Sequence, residues 1–127
     1  MFDELLKLLD NAYAKYSNYK VAAICTSENE EYRGINIENA AYPFTICAER
    51  VAIFSAITDG KKKIDSVSLI TPTETFTSPC GGCRQVMAEF MDEDGEITIY
   101  NSKGESKKYT LKDLLPNSFI SKTLESK

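Results

Sequence analysis

Cys47, Glu49, Cys80 and Cys83 stand at spacings that can build a metal centre with a proton carrier beside it. They occur in Cys47-Ala48-Glu49-Arg50 and in Pro79-Cys80-Gly81-Gly82-Cys83. Three thiolates can hold Zn²⁺ and leave the fourth tetrahedral position open, which separates a catalytic zinc from a structural one. Water at such a position ionises near neutral pH, with a pKa of about 7 in well-studied sites, and becomes a nucleophile. Glu49 follows Cys47 by two positions and is close enough to move that water's proton. Cys80 and Cys83 alone would also suit a redox pair or a structural knuckle. The added Cys-x-Glu upstream is what points to catalysis.

Charge sets a further requirement. Zn²⁺ with three thiolates carries one net negative charge, which opposes forming hydroxide there. Both cysteine motifs fall at expected helix starts, where free backbone N–H groups and the helix dipole stabilise thiolates. Arg50 is the side chain placed to draw further charge from the sulfurs from outside the ligand set. Cys25, in Val21-Ala22-Ala23-Ile24-Cys25, reads as a small buried hydrophobe. The competing reading makes it the fourth ligand of a structural zinc module that only mediates binding.

The elements that must position these residues follow from periodicity. Phe2, Leu5, Leu6, Leu9, Ala12, Tyr13 and Tyr16 repeat at helical spacing, with Asp3 as N-cap. Lys20 to Ser27 and Glu31 to Ile37 read as a hairpin about the polar turn Glu28-Asn29-Glu30. Cys47 to Ile57 predicts a helix ended by Asp59-Gly60. Asp65 to Ile70 predicts a strand, Gly81 to Met91 a helix, and Glu96 to Tyr100 a strand. Glu105 to Thr110 is a short exposed strand, followed by one helical turn from Leu111 to Leu115. Strands alternating with helices in this order predict an α/β fold, a three-layer α/β/α sandwich with a mixed five-stranded sheet.

A chain of 127 residues, 43% hydrophobic and 27% charged, suits one domain over 1–127, with a frayed polar tail at 121–127. No apolar run approaches the ~20 residues of a membrane span. The acidic start Met1-Phe2-Asp3-Glu4 lacks the basic region of a secretory signal, so a reducing cytoplasm is expected for the cysteines. A net charge of −4 argues against a nucleic-acid partner and for a small free substrate. Lys61-Lys62-Lys63 reads as a solvated loop. The absence of histidine removes Ser-His-Asp and Cys-His schemes and leaves sulfur or carboxylate as metal ligands.

With these residues in place, the sequence resembles the short zinc-dependent cytidine deaminases of pyrimidine salvage. Tyr16-Ser17-Asn18-Tyr19-Lys20-Val21 resembles that family's Tyr-Ser-x-Phe-x-Val segment. Asn36-Ile37-Glu38-Asn39-Ala40-Ala41-Tyr42-Pro43 is similar to its ribose-binding stretch. Cys47-Ala48-Glu49-Arg50 and Pro79-Cys80-Gly81-Gly82-Cys83-Arg84-Gln85 continue the match, and Leu114-Leu115-Pro116-Asn117-Ser118-Phe119 resembles its C-terminal signature. The five segments span nearly the whole chain in order.

The resemblance implies that one Zn²⁺ per chain is held by Cys47, Cys80 and Cys83. It implies that Glu49 shuttles the proton during hydrolysis of cytidine and deoxycytidine to uridine and deoxyuridine. Asn36 and Glu38 would hydrogen-bond the ribose, Tyr19 would lie against the base, and Phe119 would complete a neighbouring subunit's pocket. A homotetramer with sites at subunit interfaces is implied as well. Two departures stand out: Tyr19 replaces the family's usual phenylalanine, and Lys20-Val21-Ala22-Ala23 replaces Pro-Val-Gly-Ala. A neighbouring activity, on another aminopyrimidine or a blasticidin-type compound, uses the same chemistry.

Overall fold

Side chains on the central strands alternate between two apolar clusters, and this alternation separates the layers. In the computed structural model, which describes residues 1–121, β1 (Ala22–Ser27) sends Ala22 and Ile24 to one face. Ala23 and Cys25 point to the other. The first face is covered by α1 (Phe2–Leu9) through Leu5, which is fully buried. The second is covered by α2 (Ala48–Thr58) and α3 (Gly81–Phe90), which bury Ala48, Ala52, Ile53, Ala56, Met87 and Ala88.

β2 (Glu30–Ile35), β3 (Ser66–Ile70), β4 (Glu96–Tyr100) and β5 (Ser106–Thr110) complete a five-stranded sheet. Its order is β2-β1-β3-β4-β5. Only the β3–β4 pair is parallel, and α3 is its crossover, so the sheet is mixed as expected. Both helices that begin at the cysteine motifs therefore pack on the same face of the sheet. The β1–β2 hairpin closes through Glu28 and Asn29, with φ of 52° and 66°. These left-handed values give the primed turn that fits twisted strands. A short helix, α4 (Leu111–Leu114), follows β5 and begins with a Thr110–Asp113 capping box.

Four local expectations are corrected. The first helix stops at Leu9 and does not run to Tyr16, because the backbone of Tyr13 is captured elsewhere. Its N–H donates to the Asn36 carbonyl and its carbonyl accepts from the Glu38 N–H, both at 2.9 Å. Asp3 lies inside the first turn, and the N-cap is Met1, whose carbonyl accepts from the Leu5 N–H. The strand expected from Lys20 begins at Ala22, since the Val21 N–H bonds the Asn36 side chain. Lys61 is no solvated loop charge. It bridges Glu28 at 3.0 Å and Glu30 at 2.9 Å, clasping the hairpin to the end of α2. The tail expected to fray lies, beyond residue 121, outside the described residues.

Candidate active site

Two helix starts bring the three thiols together. Cys47 is the N-cap of α2 and Cys80 the N-cap of α3, and Cys83 sits in the first turn of α3. The Cys80 sulfur accepts from the Cys83 N–H at 3.4 Å. Its Sγ lies 3.3 Å from that of Cys83 and 4.0 Å from that of Cys47. All three sulfurs fall within 4.8 Å of one another. Ligands at about 2.3 Å on a tetrahedral zinc sit roughly 3.8 Å apart. The donor set thus fits a zinc ion, and three sulfurs leave one coordination position for another group. Cys25 does not join them. It is fully buried in β1, on the apolar face under α2.

The electrostatics around the sulfurs are uneven. The Cys83 thiol donates toward Cys47, and with Arg50 and Cys80 it brings the Cys47 pKa down to about 5 against the opposing effect of burial. Cys83, holding that proton and buried, is pushed up. Arg50 reaches over both helix starts, with Nη2 3.6 Å from the Cys47 sulfur and 3.9 Å from that of Cys80. Gly82 leaves room for it, since a Cβ there would stand 3.2 Å from Nη2. Arg84 fixes the loop from the other side. Its Nε donates to the Pro79 carbonyl at 2.8 Å and its Nη1 to the Leu114 carbonyl at 2.7 Å.

Glu49 lies in the first turn of α2 at 4% exposure, and burial raises its carboxyl pKa. It opens onto a cavity of about 350 Å³, which Cys47 and Cys80 also line. That volume falls within the range of small-molecule sites, about 300–1,000 Å³. Ser17, Tyr19, Asn36 and Glu38 line the same cavity. Asn36 accepts from the Val21 N–H at 2.9 Å and donates to the Tyr19 carbonyl at 2.8 Å. One amide N–H and one oxygen lone pair remain for another partner. Glu38 accepts from the Tyr16 N–H at 2.9 Å, the Ser17 N–H at 3.0 Å and the Ser17 hydroxyl. Those bonds, the hydroxyl foremost, hold its carboxyl below the usual range. Both residues shape the lip that carries Tyr19.

Phe119 is not at this cavity. It is 54% exposed, and its carbonyl accepts from the Gln85 side chain at 2.7 Å. Sequence reasoning passed over Arg84, although it lies within a quoted motif. It also passed over Thr71, Thr77 and Ser78, which line the cavity, and Asn101, which is buried with its side chain fully bonded. The only signal in the sequence was an unusual run of hydroxyls from Thr71 to Ser78.

A sheet flanked by helices whose starts hold three thiols and a buried carboxylate defines a zinc-type hydrolytic centre. Comparison with known proteins agrees. Residues 1–99 match the family model described as the cytidine and deoxycytidylate deaminase zinc-binding region, and the chain belongs to that family. It is 40% identical to a cytidine deaminase of Sporosarcina psychrophila, over 95% of this chain and 90% of the relative. It is 38% identical to one from Mycoplasma genitalium, over 91% and 90%. The crystal structure of cytidine deaminase from Burkholderia pseudomallei superposes with a TM-score of 0.87 at 35% identity, covering 92% of this chain and 94% of that one. The chain is thus an enzyme of the deaminase class, a hydrolase.

Proposed function

We propose that this enzyme hydrolyses the exocyclic amine of cytidine and deoxycytidine, releasing ammonia and forming uridine and deoxyuridine in pyrimidine salvage. The observation that carries this reading is the shared cavity: Glu49, Cys47 and Cys80 line it together with Asn36 and Glu38. Cys47, Cys80 and Cys83 would hold Zn²⁺. The bound metal supplies a Lewis acid that makes water a nucleophile near neutral pH. Arg50 offsets the excess negative charge of the three thiolates.

Glu49 is the proton carrier. Its carboxylate takes the proton released as the water oxygen bonds to C4 of the ring, and passes it to N3. It then takes the proton of the new C4 hydroxyl and delivers it to the amine as the C4–N4 bond breaks, so that ammonia leaves and a carbonyl remains. Burial raises its pKa and so favours the protonated form that the group must hold between transfers. Asn36 and Glu38 orient the sugar, and Tyr19 lies along the base. The exposed Phe119, with Tyr42 at 81% and Phe44 at 75% exposure, fits a homotetramer in which neighbours complete each site. Work in the cytoplasm suits the free thiols.

Glu49→Gln tests the central role. It should retain zinc and bind nucleoside, yet lose about 10²–10⁴ in turnover, the usual weight of a general acid–base. Metal analysis, calorimetry and a single-turnover assay on one sample would check this. Wild-type turnover by the zinc-loaded variant removes Glu49 from the mechanism. Ammonia release across cytidine, deoxycytidine, cytosine and CMP reads the sugar role. Equal kcat/KM for cytosine and cytidine would take it away from Asn36 and Glu38.

A further inference from the structure

The cavity wall that leads to Cys80 carries two threonines joined through a third. Thr71, just past the end of β3, and Thr77, in the approach to Cys80, both line the cavity. Thr73 does not line it, but it binds both. The Thr71 and Thr73 Oγ1 atoms are 3.2 Å apart, and those of Thr73 and Thr77 are 3.1 Å apart. Thr73 Oγ1 also donates to the Thr75 carbonyl at 2.9 Å.

Counting protons decides the direction of every bond in this group. A threonine hydroxyl has one proton and two acceptor lone pairs. A carbonyl oxygen only accepts, so the Thr73 proton is committed to Thr75. Thr73 must then accept from both Thr71 and Thr77, which fills its two lone pairs. The protons of Thr71 and Thr77 are held by Thr73, and no other hydrogen bond engages their hydroxyls among the described residues. Toward the cavity these two side chains can accept a hydrogen bond but cannot donate one.

The group is fixed from outside. The Thr73 carbonyl accepts from the Ser102 N–H at 2.9 Å. Asn101, 1% exposed, donates to the Glu74 carbonyl at 2.9 Å and accepts from the N–H groups of Lys103 and Glu105, each at 3.0 Å. The β4–β5 turn thus holds the backbone that carries Thr73 in place.

We propose that Thr71, Thr73 and Thr77 form an acceptor-only wall that favours a nucleoside carrying an exocyclic amine and disfavours the carbonyl that replaces it. This rests on the deaminase reading of the site. An amine brings two N–H donors to such a wall. The product carbonyl brings only lone pairs, and neither oxygen can turn a proton toward it. Deamination converts one group into the other at the same ring carbon, so the wall turns from partner to opponent as the reaction completes. Its effect falls on KM and on product release, while the proton transfers remain with Glu49.

Thr73→Val is the test. It frees the Thr71 and Thr77 protons to turn toward the cavity, and the residue whose carbonyl it abandons, Thr75, is exposed. With zinc-loaded protein, uridine should inhibit cytidine turnover about tenfold more strongly relative to the cytidine KM, the size of one misaligned buried hydrogen bond. Thr73→Ser keeps the hydroxyl and should behave as wild type. Thr77→Val, a second route, removes one acceptor and should weaken cytidine about tenfold without tightening uridine. Calorimetric Kd values for both nucleosides, measured in a Glu49→Gln background, read the same ratios without turnover. Unchanged ratios in both valine variants, with wild-type Tm and zinc content, overturn the proposal. If wild type releases no ammonia from cytidine, the deaminase reading fails by itself, and the calorimetric ratios still decide the wall.

Discussion

Cys25 and Cys80 carry the same thiol, and their surroundings make them different groups. Cys25 is sealed between Ala23, Val67 and the α2 face, and burial pushes its pKa up to about 12. Cys80 is exposed at a helix start beside a second thiol and a guanidinium. Cys25→Ala should keep one zinc per chain by elemental analysis, and Cys80→Ala should lose it. The Cys25 thiol should also resist iodoacetamide at pH 8 until the protein unfolds, because the thiolate is the reactive form. A raised pKa means the folded state holds the proton more tightly. The stability this residue contributes is therefore complete below its unfolded pKa, near 9, and is lost as pH rises toward 12. The reading of Cys25 as an inert core residue was available from its apolar neighbours in sequence. The proton bookkeeping of Thr71, Thr73 and Thr77 was not, because hydrogen-bond direction depends on which oxygens face one another.

At the scale of elements, the approach of α2 to β2 sets where Cys47 and Glu49 stand. A Cβ on Gly34 would lie 2.2 Å from the Ala48 carbonyl and 2.5 Å from the Ala52 N–H nitrogen. Both are backbone atoms that cannot turn aside, and Ala48 separates Cys47 from Glu49. Gly34→Ala should shift the first turn of α2, lowering Tm by about 5–10 °C through overpacking and reducing zinc occupancy with it. Gly95→Ala is the matched control. Its Cβ would meet the flexible Met91 side chain at 2.8 Å and the Asp92 carbonyl at 3.0 Å, with no contact to the thiols. It should cost stability and spare the metal. An equal loss of zinc in both variants would mean that Gly34 acts only through global stability. Sequence periodicity located α2 and α3 to within a residue or two. It overextended α1, because helical spacing continues through Tyr13 and Tyr16 while their backbone is recruited by Asn36 and Glu38.

For the whole molecule, the metal site joins two parts of the fold. Cys47 belongs to the connection from β2 to α2, and Cys80 and Cys83 belong to the β3–β4 crossover. An ion shared between them stabilises only the folded chain, by about 4 kcal/mol at a thousandfold excess over its Kd. Removing zinc with a chelator should lower Tm by about 10 °C or more, and added zinc should restore it. An unchanged Tm would show that the helix starts meet without help from the ion. The aromatic residues Tyr42, Phe44 and Phe119 are exposed in the single chain, and light scattering would test the proposed tetramer directly.

The ligand types, the carboxylate beside them, the α/β class and the strand order in sequence were all set by local pattern. Residue type, short spacing and hydrophobic period are properties of the chain itself. What only the tertiary structure decided is which groups share a space. Asn36 and Glu38 had a reading as sugar ligands, yet much of their bonding capacity holds the lip from Tyr16 to Val21. Phe119 stands outside the cavity of its own chain. Arg84 and Asn101 fix loops far from them in sequence. Such roles rest on contacts between segments that folding alone brings together, and a buried polar atom takes whatever partner the packing leaves beside it.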